Sequence, residues 1–317
     1  MRPASLTKKP PSKSSRTASR NANNMERERV LVVEAHADDL VFFMGGTAAK
    51  MVESGKLVRV LTVTTGDQSS LDPKLTEEDL VNRQNMEHPI ALKTLGITNY
   101  QTLDFTNHFL RKGDTALQLR ETLTREIRKF QPTTVCSFDP YQLYDENPDH
   151  SLVGRMAWEA AAFSAYPNFH ANMIRKEGLK PAYVRRILMF APREPDFFVD
   201  IHGTPIEKKV AAGSAYTTQL RLMFDEIKYR LGVHAKELEI PLPEGESETF
   251  NAVSAQLWND TCYAWAREMA DVANKYYASH PSVVPPVSLE LAEGFHIVFL
   301  GILQKLRDRL PADLFHL

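Results

Sequence analysis

Strand-like and helix-like segments alternate over the first half of the chain. Four short runs are rich in apolar and β-branched residues: Val30 to Ala35, Leu57 to Thr64, Tyr100 to Phe105 and Thr133 to Phe138. The segments between them carry apolar residues at helical spacing. This alternation predicts an α/β fold, a Rossmann-like and mostly parallel sheet with helices on both faces. Ligands of such sheets bind outside the carboxyl ends of the strands, so the loops after the strands are where we look for a site.

The remainder of the chain is predicted to be a tail, one domain and a helical extension. Met1 to Asn24 is basic, rich in Ser and Asn and free of acidic residues, which is typical of a disordered tail. We expect residues 25–317 to form a single domain, with a helical C-terminal elaboration from about residue 205. The helical segments predicted there are Ile206 to Leu231, Ala252 to Tyr277 and Leu289 to Leu310.

Composition and charge exclude several classes of protein. A formal net charge of -2, with 25% charged residues, gives no indication of nucleic-acid binding. Two cysteines, Cys136 and Cys262, are too few for a disulfide framework or a thiolate zinc cage. The chain has no apolar stretch long enough for a membrane span and no apolar secretory signal near its first residues. We expect a cytoplasmic protein that acts on a small molecule, and whether it forms a homo-oligomer is left open.

Polar residues that can bind a metal follow two of the four predicted strands. The run Ala35-His36-Ala37-Asp38-Asp39-Leu40 comes directly after the first strand, and Asn147-Pro148-Asp149-His150 follows the fourth. Taken singly, each run is also typical of a solvated turn or a helix N-cap. Because the carboxyl ends of parallel strands meet at one edge of a sheet, we expect the two runs to lie close together.

Together the two runs contain a candidate metal site. Zinc in hydrolytic sites takes three protein ligands and keeps one position open for water. His36, Asp39 and His150 supply such a set of nitrogen and oxygen ligands. Asp38 is available as a general base that takes a proton from water. The sequence therefore predicts a hydrolytic centre for zinc or for another divalent metal.

Other polar residues are candidates for substrate binding. Arg83, on a predicted helix, and Asn107, after the third strand, are each able to bind a hydroxyl or another polar group. Both are equally typical of surface or helix-pair residues. Asp67, in a Thr-Gly-Asp run after the second strand, is a candidate for supporting the site, although turn-forming Asp residues are common.

These runs resemble the signatures of the LmbE-like or PIG-L deacetylases, Ala-His-Pro-Asp-Asp and, far downstream, His-Pro-Asp-His. The resemblance spans roughly Arg29 to Gln219, and Ala292-Glu293-Gly294-Phe295 is similar to the terminal Ala-Glu-x-Phe of that family. It implies an LmbE-like fold and a zinc-dependent N-acetylglucosaminyl deacetylase. Zinc ligation by His36, Asp39 and His150, with Asp38 as the base, is also what the resemblance implies.

Two departures from the family pattern concern the chemistry of the site. Asn147 stands where the family usually has a His that pairs with the Asp at position 149 and stabilises the oxyanion or protonates the leaving amine. Asn cannot give up a proton as an acid, but it can donate a hydrogen bond to a developing oxyanion. We therefore count Asn147 and Asp149 with Asp38 as catalytic. Tyr216 replaces another common His and is counted with Arg83 and Asn107 as substrate-binding.

The predicted function is a hydrolase that removes an N-acyl group, chiefly acetyl, from an amino-sugar-like amine. A dinucleotide-binding protein is the first alternative, but Gly45 and Gly46 lack the required spacing, and the acidic turn would repel a pyrophosphate. The second alternative is a non-catalytic, metal-containing sugar-binding module, which the changes at Asn147 and Tyr216 suggest. Retention of all three ligands and of Asp38 argues against it.

Overall fold

In a computed structural model, the chain is described over residues 27–142, 145–232, 234, 248–280 and 288–315. The predicted tail, Met1 to Asn24, lies outside these residues. Within them, seven strands form one sheet: β1 (Arg29–Glu34), β2 (Leu57–Thr64), β3 (Asn99–Phe105), β4 (Thr134–Phe138), β5 (Arg186–Phe190), β6 (Phe197–Asp200) and β7 (Ala292–Phe299).

The helices of the described residues follow the strands in the expected order. They are α1 (Asp39–Glu53), α2 (Glu77–Thr94), α3 (Thr115–Phe130), α4 (Pro148–Phe163), α5 (Ala171–Arg175), α6 (Thr204–Gly213), α7 (Thr217–Leu231), α8 (Glu248–Ser279) and α9 (Ile302–Lys305). The predicted fold class, a Rossmann-like α/β fold with a helical C-terminal region, is confirmed.

The sheet has the order β3-β2-β1-β4-β5-β7-β6. Strands β1 to β5 are parallel, and β7 runs antiparallel to both β5 and β6. Strand β1 lies in the centre, with Val32 paired to Val60 of β2 and to Cys136 of β4. Strands covered on both faces are continuous apolar runs, and β1 and β4 are buried in this way. The loops after β1 and β4 therefore leave the sheet side by side.

The predicted last helix, Leu289 to Leu310, is wrong over its central part, which forms β7. Phe295, Ile297 and Phe299 are buried, and the residues between them, His296 and Val298, are partly exposed. This alternation is typical of a strand. Pairing with β5 satisfies the backbone groups of this segment, and the sequence alone does not show that partner. In the described residues after β7, the short α9 and two 3-10 turns follow.

Helix α1 is interrupted at Met44, whose φ and ψ are -145° and 20°. The Glu293 carboxylate, from β7, accepts hydrogen bonds from the backbone N–H groups of Gly46 (3.1 Å) and Thr47 (2.7 Å), directly after the interruption. The buried Lys209 ammonium of α6 donates to the same carboxylate at 2.8 Å. Glu293 thus satisfies donors that the break would leave unpaired, and it joins α1, α6 and β7.

The C-terminal region differs from the prediction in a second respect. The helical pattern from Ile206 to Leu231 is divided into α6 and α7, and Tyr216 lies in the break between them. Among the described residues, no helix has both the length and the apolar composition needed to cross a bilayer.

Candidate metal centre

His36, Asp39 and His150 bring their side chains together at the carboxyl edge of the parallel strands. His36 Nδ1 lies 3.2 Å from His150 Nε2 and 3.4 Å from Asp39 Oδ2, and His150 Nε2 lies 3.5 Å from Asp39 Oδ1. Ligands at zinc–nitrogen and zinc–oxygen distances in a tetrahedron are separated by about 3.3 Å. The spacing of the three groups therefore fits a zinc ion, and His36 and Asp39 are buried.

Local packing explains why these side chains meet. The Asp39 carboxylate accepts the backbone N–H of His36 at 2.7 Å, which closes the turn between β1 and α1. The His150 ring stacks on the Phe138 ring with 4.0 Å between ring centroids. Gly154 lets α4 approach β4 closely, since a Cβ there would collide with the Phe138 carbonyl oxygen. The turn after β1 and the first turn of α4 are thus held face to face.

Each of the two imidazoles also faces a carboxylate on its other nitrogen. His150 Nδ1 lies 2.8 Å from Asp145 Oδ2, and His36 Nε2 lies 3.4 Å from Asp149 Oδ2. Histidines that bind metals usually donate their second N–H to such a group, which fixes the ring and its tautomer. Asp145 was missed in the sequence. Its position five residues before a candidate ligand was the only signal.

The charge of this cluster suits a cation. Burial alone would lower the pKa values of both imidazoles, but the Asp39 carboxylate and the other carboxylates around them raise the pKa of His36 to about 10 and that of His150 to about 9. Burial would raise the pKa of Asp39, yet the two imidazoles hold it well below its usual range. Without a metal, the carboxylates are thus compensated by protons on the imidazoles, and a divalent ion would replace those protons.

Asp38 occupies the N-cap position of α1 and is 8% exposed. Burial and the neighbouring Asp39 carboxylate raise the pKa of Asp38 to about 7. A carboxylate with such a pKa can take up and release a proton near neutral pH, as a general base requires. Asp38 and Asp39 are adjacent, but their surroundings push their pKa values in opposite directions.

Asn147 is the N-cap residue of α4. Its Oδ1 atom accepts the backbone N–H of Asp149 at 3.0 Å, and Pro148 follows at the first helical position. Because the oxygen forms the cap, the Nδ2 amide is the end of the side chain that can donate to a ligand. Asp149 is 1% exposed, and its Oδ2 accepts the backbone N–H of His108 at 2.7 Å. His108 was not identified from the sequence.

Tyr216 lies behind the turn after β1 and is 2% exposed. Its hydroxyl donates to the Ala37 carbonyl oxygen and lies 2.8 Å from His88 Nδ1. The Thr62 hydroxyl lies 3.0 Å from His88 Nε2 and donates to Glu34 Oε1 at 2.6 Å, so Tyr216 is connected to Glu34 through His88 and Thr62. Burial lowers the pKa of His88 to about 4, whereas burial and Asp39 raise the pKa of Glu34 well above its usual range.

The other two predicted substrate contacts lie in different surroundings. Asn107 is 2% exposed, and its Oδ1 accepts the backbone N–H of Gly66 at 2.9 Å. The Asn107 backbone N–H donates to Asp67 Oδ1 at 3.1 Å, so the two residues join the loops after β2 and β3. Arg83 is partly exposed on α2, one turn before Glu87, which accepts the Thr218 backbone N–H at the start of α7.

Known proteins show similarity in both sequence and fold. The PIG-L family profile, GlcNAc-PI de-N-acetylase, matches residues 31–161. Diacetylchitobiose deacetylase of Thermococcus kodakarensis is 31% identical over 196 residues, which are 61% of this chain and 70% of that protein. A 1D-myo-inositol 2-acetamido-2-deoxy-alpha-D-glucopyranoside deacetylase of Streptomyces scabiei is 25% identical over 181 residues, 50% of this chain and 56% of that one.

The solved structures agree with this assignment. N,N'-diacetylchitobiose deacetylase from Pyrococcus horikoshii, in complex with its inhibitor MPG, superposes with a TM-score of 0.63 and 25% identity. The match covers 86% of this chain and 84% of that one. The profile match contains His36, Asp38, Asp39 and His150, the residues that converge at the candidate metal centre. The chain belongs to the PIG-L, or LmbE-like, family.

Proposed function

We propose that this protein is a zinc-dependent hydrolase that removes an N-acyl group, chiefly acetyl, from a small amino sugar or amino-sugar conjugate. The observation that carries the proposal is the convergence of two imidazoles and the Asp39 carboxylate, with contacts of 3.2 to 3.5 Å between the three groups, beside a buried carboxyl group. The names of the related deacetylases, which include a disaccharide and an inositol glycoside among their substrates, support the substrate class.

His36, Asp39 and His150 are the residues that would hold the metal. Zinc bound there would supply a Lewis acid and would lower the pKa of water at its open position. Asp145 and Asp149 hold the two imidazoles in the orientation that points Nε2 of His150 and Nδ1 of His36 at one point.

Asp38 takes the proton of the attacking water. Burial and the adjacent Asp39 carboxylate act to raise its pKa, which makes it a stronger base than an exposed carboxylate. As the N-cap residue of α1, Asp38 lies directly before Asp39, so the proposed base is adjacent to a proposed metal ligand.

Asn147 donates from Nδ2 to the amide oxygen as negative charge develops there. The Oδ1 cap on the Asp149 N–H fixes the side chain without using Nδ2, so the donor is oriented before the substrate binds. Arg83 is kept as a candidate contact to the sugar. The buried positions and backbone partners of Asn107 and Tyr216 favour a framework role for both over the substrate contacts predicted from the sequence.

We also propose that residues 25–317 act as one domain in the cytoplasm. Cys136 and Cys262 are buried free thiols, as a reducing compartment favours. Burial raises the pKa of each thiol to about 12, which makes both inert.

A panel assay tests the function. Acetate release is followed by mass spectrometry from N-acetylglucosamine, diacetylchitobiose and an inositol glycoside of N-acetylglucosamine, with the zinc-loaded protein. Wild type is expected to hydrolyse at least one compound, and Asp38→Asn to hydrolyse none while keeping its zinc. Asp104→Asn, at an exposed position of β3, is the matched control. Failure of the wild type on the whole panel would favour the sugar-binding module.

A further inference from the structure

The exposed imidazole of His108 lies beside His36 and Asp149, at the candidate metal centre. Its ring centroid is 6.4 Å from that of His36, and its Nδ1 atom is 4.0 Å from Asp149 Oδ2. The side chain is 41% exposed, whereas that of Asp149 beneath it is 2% exposed. His108 is therefore the solvent-exposed member of a His36–Asp149–His108 arrangement.

The backbone conformation of His108 is also unusual. Its φ is +63°, in the left-handed region that glycine adopts without cost. A non-glycine residue there is uncommon, and such residues are enriched where the side chain has a function. The backbone N–H of His108 donates to Asp149 Oδ2 at 2.7 Å, so the carboxylate that faces His36 also holds His108 in this conformation.

The proposed reaction needs a proton for the leaving nitrogen. Without that proton the nitrogen would have to depart as an anion, which is a very poor leaving group. Asn147 has no acidic proton to give. His36 and His150 have their inward nitrogens in the ligand set, and His88 is 3% exposed and occupied by Thr62 and Tyr216. Among the described residues around the centre, His108 is the imidazole that remains accessible to a substrate.

Resting on the proposed function, we infer that His108 is a further catalytic residue, the acid that protonates the departing amine. As the C–N bond breaks and its electron pair stays on nitrogen, the protonated imidazole transfers its N–H proton to that nitrogen. The neutral imidazole then regains a proton from solvent, to which the ring is open. Asp38 releases the water's proton to solvent, so the net reaction remains amide plus water to acetate plus amine.

Asp149 orients His108 for this proton transfer. Its carboxylate faces Nδ1 of His108, which leaves Nε2, on the opposite side of the ring, for the substrate. The same carboxylate orients His36, so one buried group couples the position of the acid to the position of a metal ligand. Asp149 is a positioning residue here.

Leaving-group dependence tests the proposal. His108→Asn keeps a residue that tolerates positive φ but removes the imidazole. Turnover of an N-acetyl amide should fall on the order of a hundredfold. Zinc-dependent hydrolysis of p-nitrophenyl acetate, whose leaving group departs without a proton, should change by less than about threefold. His170→Asn is the matched control, since His170 has φ +49° and lies away from the centre.

Three results would overturn the inference. If His108→Asn lowered turnover of the amide and of the ester equally, His108 would have no specific role in departure of the amine. If turnover of the amide did not fall, Asp38 would be the group that protonates the amine. Amide loss that follows a fall in zinc content or Tm would be structural. His108→Gly, which relieves the backbone, guards against misfolding and should show the same split between substrates. Failure of the proposed function is a different result, since the wild type itself would then hydrolyse no amide.

Discussion

Asp145 Oδ2 lies 2.8 Å from His150 Nδ1, on the side of the ring opposite the nitrogen that faces His36 and Asp39. Asp145 also accepts the backbone N–H of Asn147 at 3.0 Å, so it orders the approach to α4 as well as the imidazole. His150 pulls the pKa of Asp145 below its usual range against the effect of burial. One residue thus orients a candidate ligand, His150, and the nearby cap residue, Asn147.

Asp145→Asn should therefore weaken zinc binding by about 10- to 100-fold, the usual effect of losing an outer partner of a ligating histidine. Competition against a chromophoric zinc chelator measures the affinity. Asp104→Asn again serves as the control at an exposed carboxylate. An affinity equal to that of the wild type would mean that Asp145 only shapes the loop.

Substitutions of Asn147 should separate its cap from its donor. Asn147→Asp keeps an oxygen for the Asp149 N–H but loses the amide donor, so its Tm should stay near that of the wild type while turnover falls about a hundredfold. Asn147→Ala loses both and should also lose about 1 kcal/mol of stability. Thermal melts and acetate release are measured on the same samples. Full turnover in Asn147→Asp would remove this residue from the mechanism.

Stability of the metal-free protein should depend on pH in the alkaline range. The pKa values of His36 and His150, about 10 and about 9, lie above the ordinary value of 6.5. Their stabilisation is therefore complete below about pH 6.5 and is lost as pH rises through about 9 to 10. We expect the Tm of the metal-free protein to fall over this interval. The zinc-loaded protein, whose imidazoles bind in neutral form, should lack that fall. Parallel pH dependence of the two forms would contradict the assignment.

Removal of residues 1–24 should leave Tm and turnover unchanged. A basic segment that is rich in Ser and Asn and poor in apolar residues contributes little to a core. Melts and acetate release compare the truncated chain with the full one. A large loss in either would show that this segment docks on the domain.

The sequence predicted the parallel half of the sheet and the residues at its edge. Strands β1 to β4 correspond to the four predicted runs, and the candidate ligands lie in the turn after β1 and at the start of α4, which follows β4, where the topology brings them together. The composition of the segment was enough for β1, β2 and β4, because burial of these strands requires a run rich in apolar residues, whereas β3 is mostly exposed and was indicated by its short apolar and β-branched pattern alone.

The parts that were missed depend on distant partners. Strand β7 pairs with β5, about a hundred residues earlier, and its apolar residues were assigned to a helix. Asp145 and His108 belong to no sequence motif. Their roles follow from their contacts, Asp145 with His150 and His108 with Asp149, which depend on the fold. The substrate contact predicted for Tyr216 stays a prediction, and nothing in the sequence indicated the hydrogen bond from its buried hydroxyl to the Ala37 carbonyl oxygen.

Zinc titration into the metal-free protein, with acetate release followed at each addition, tests the central claim most directly. The account predicts that turnover rises with zinc and saturates at about one ion per chain. His36→Ala, Asp39→Ala and His150→Ala should each bind little zinc by plasma mass spectrometry, whereas Asp38→Asn should bind a full equivalent and remain inactive. Zinc loss in Asp38→Asn as large as in the ligand variants, or turnover that does not depend on zinc, would contradict it.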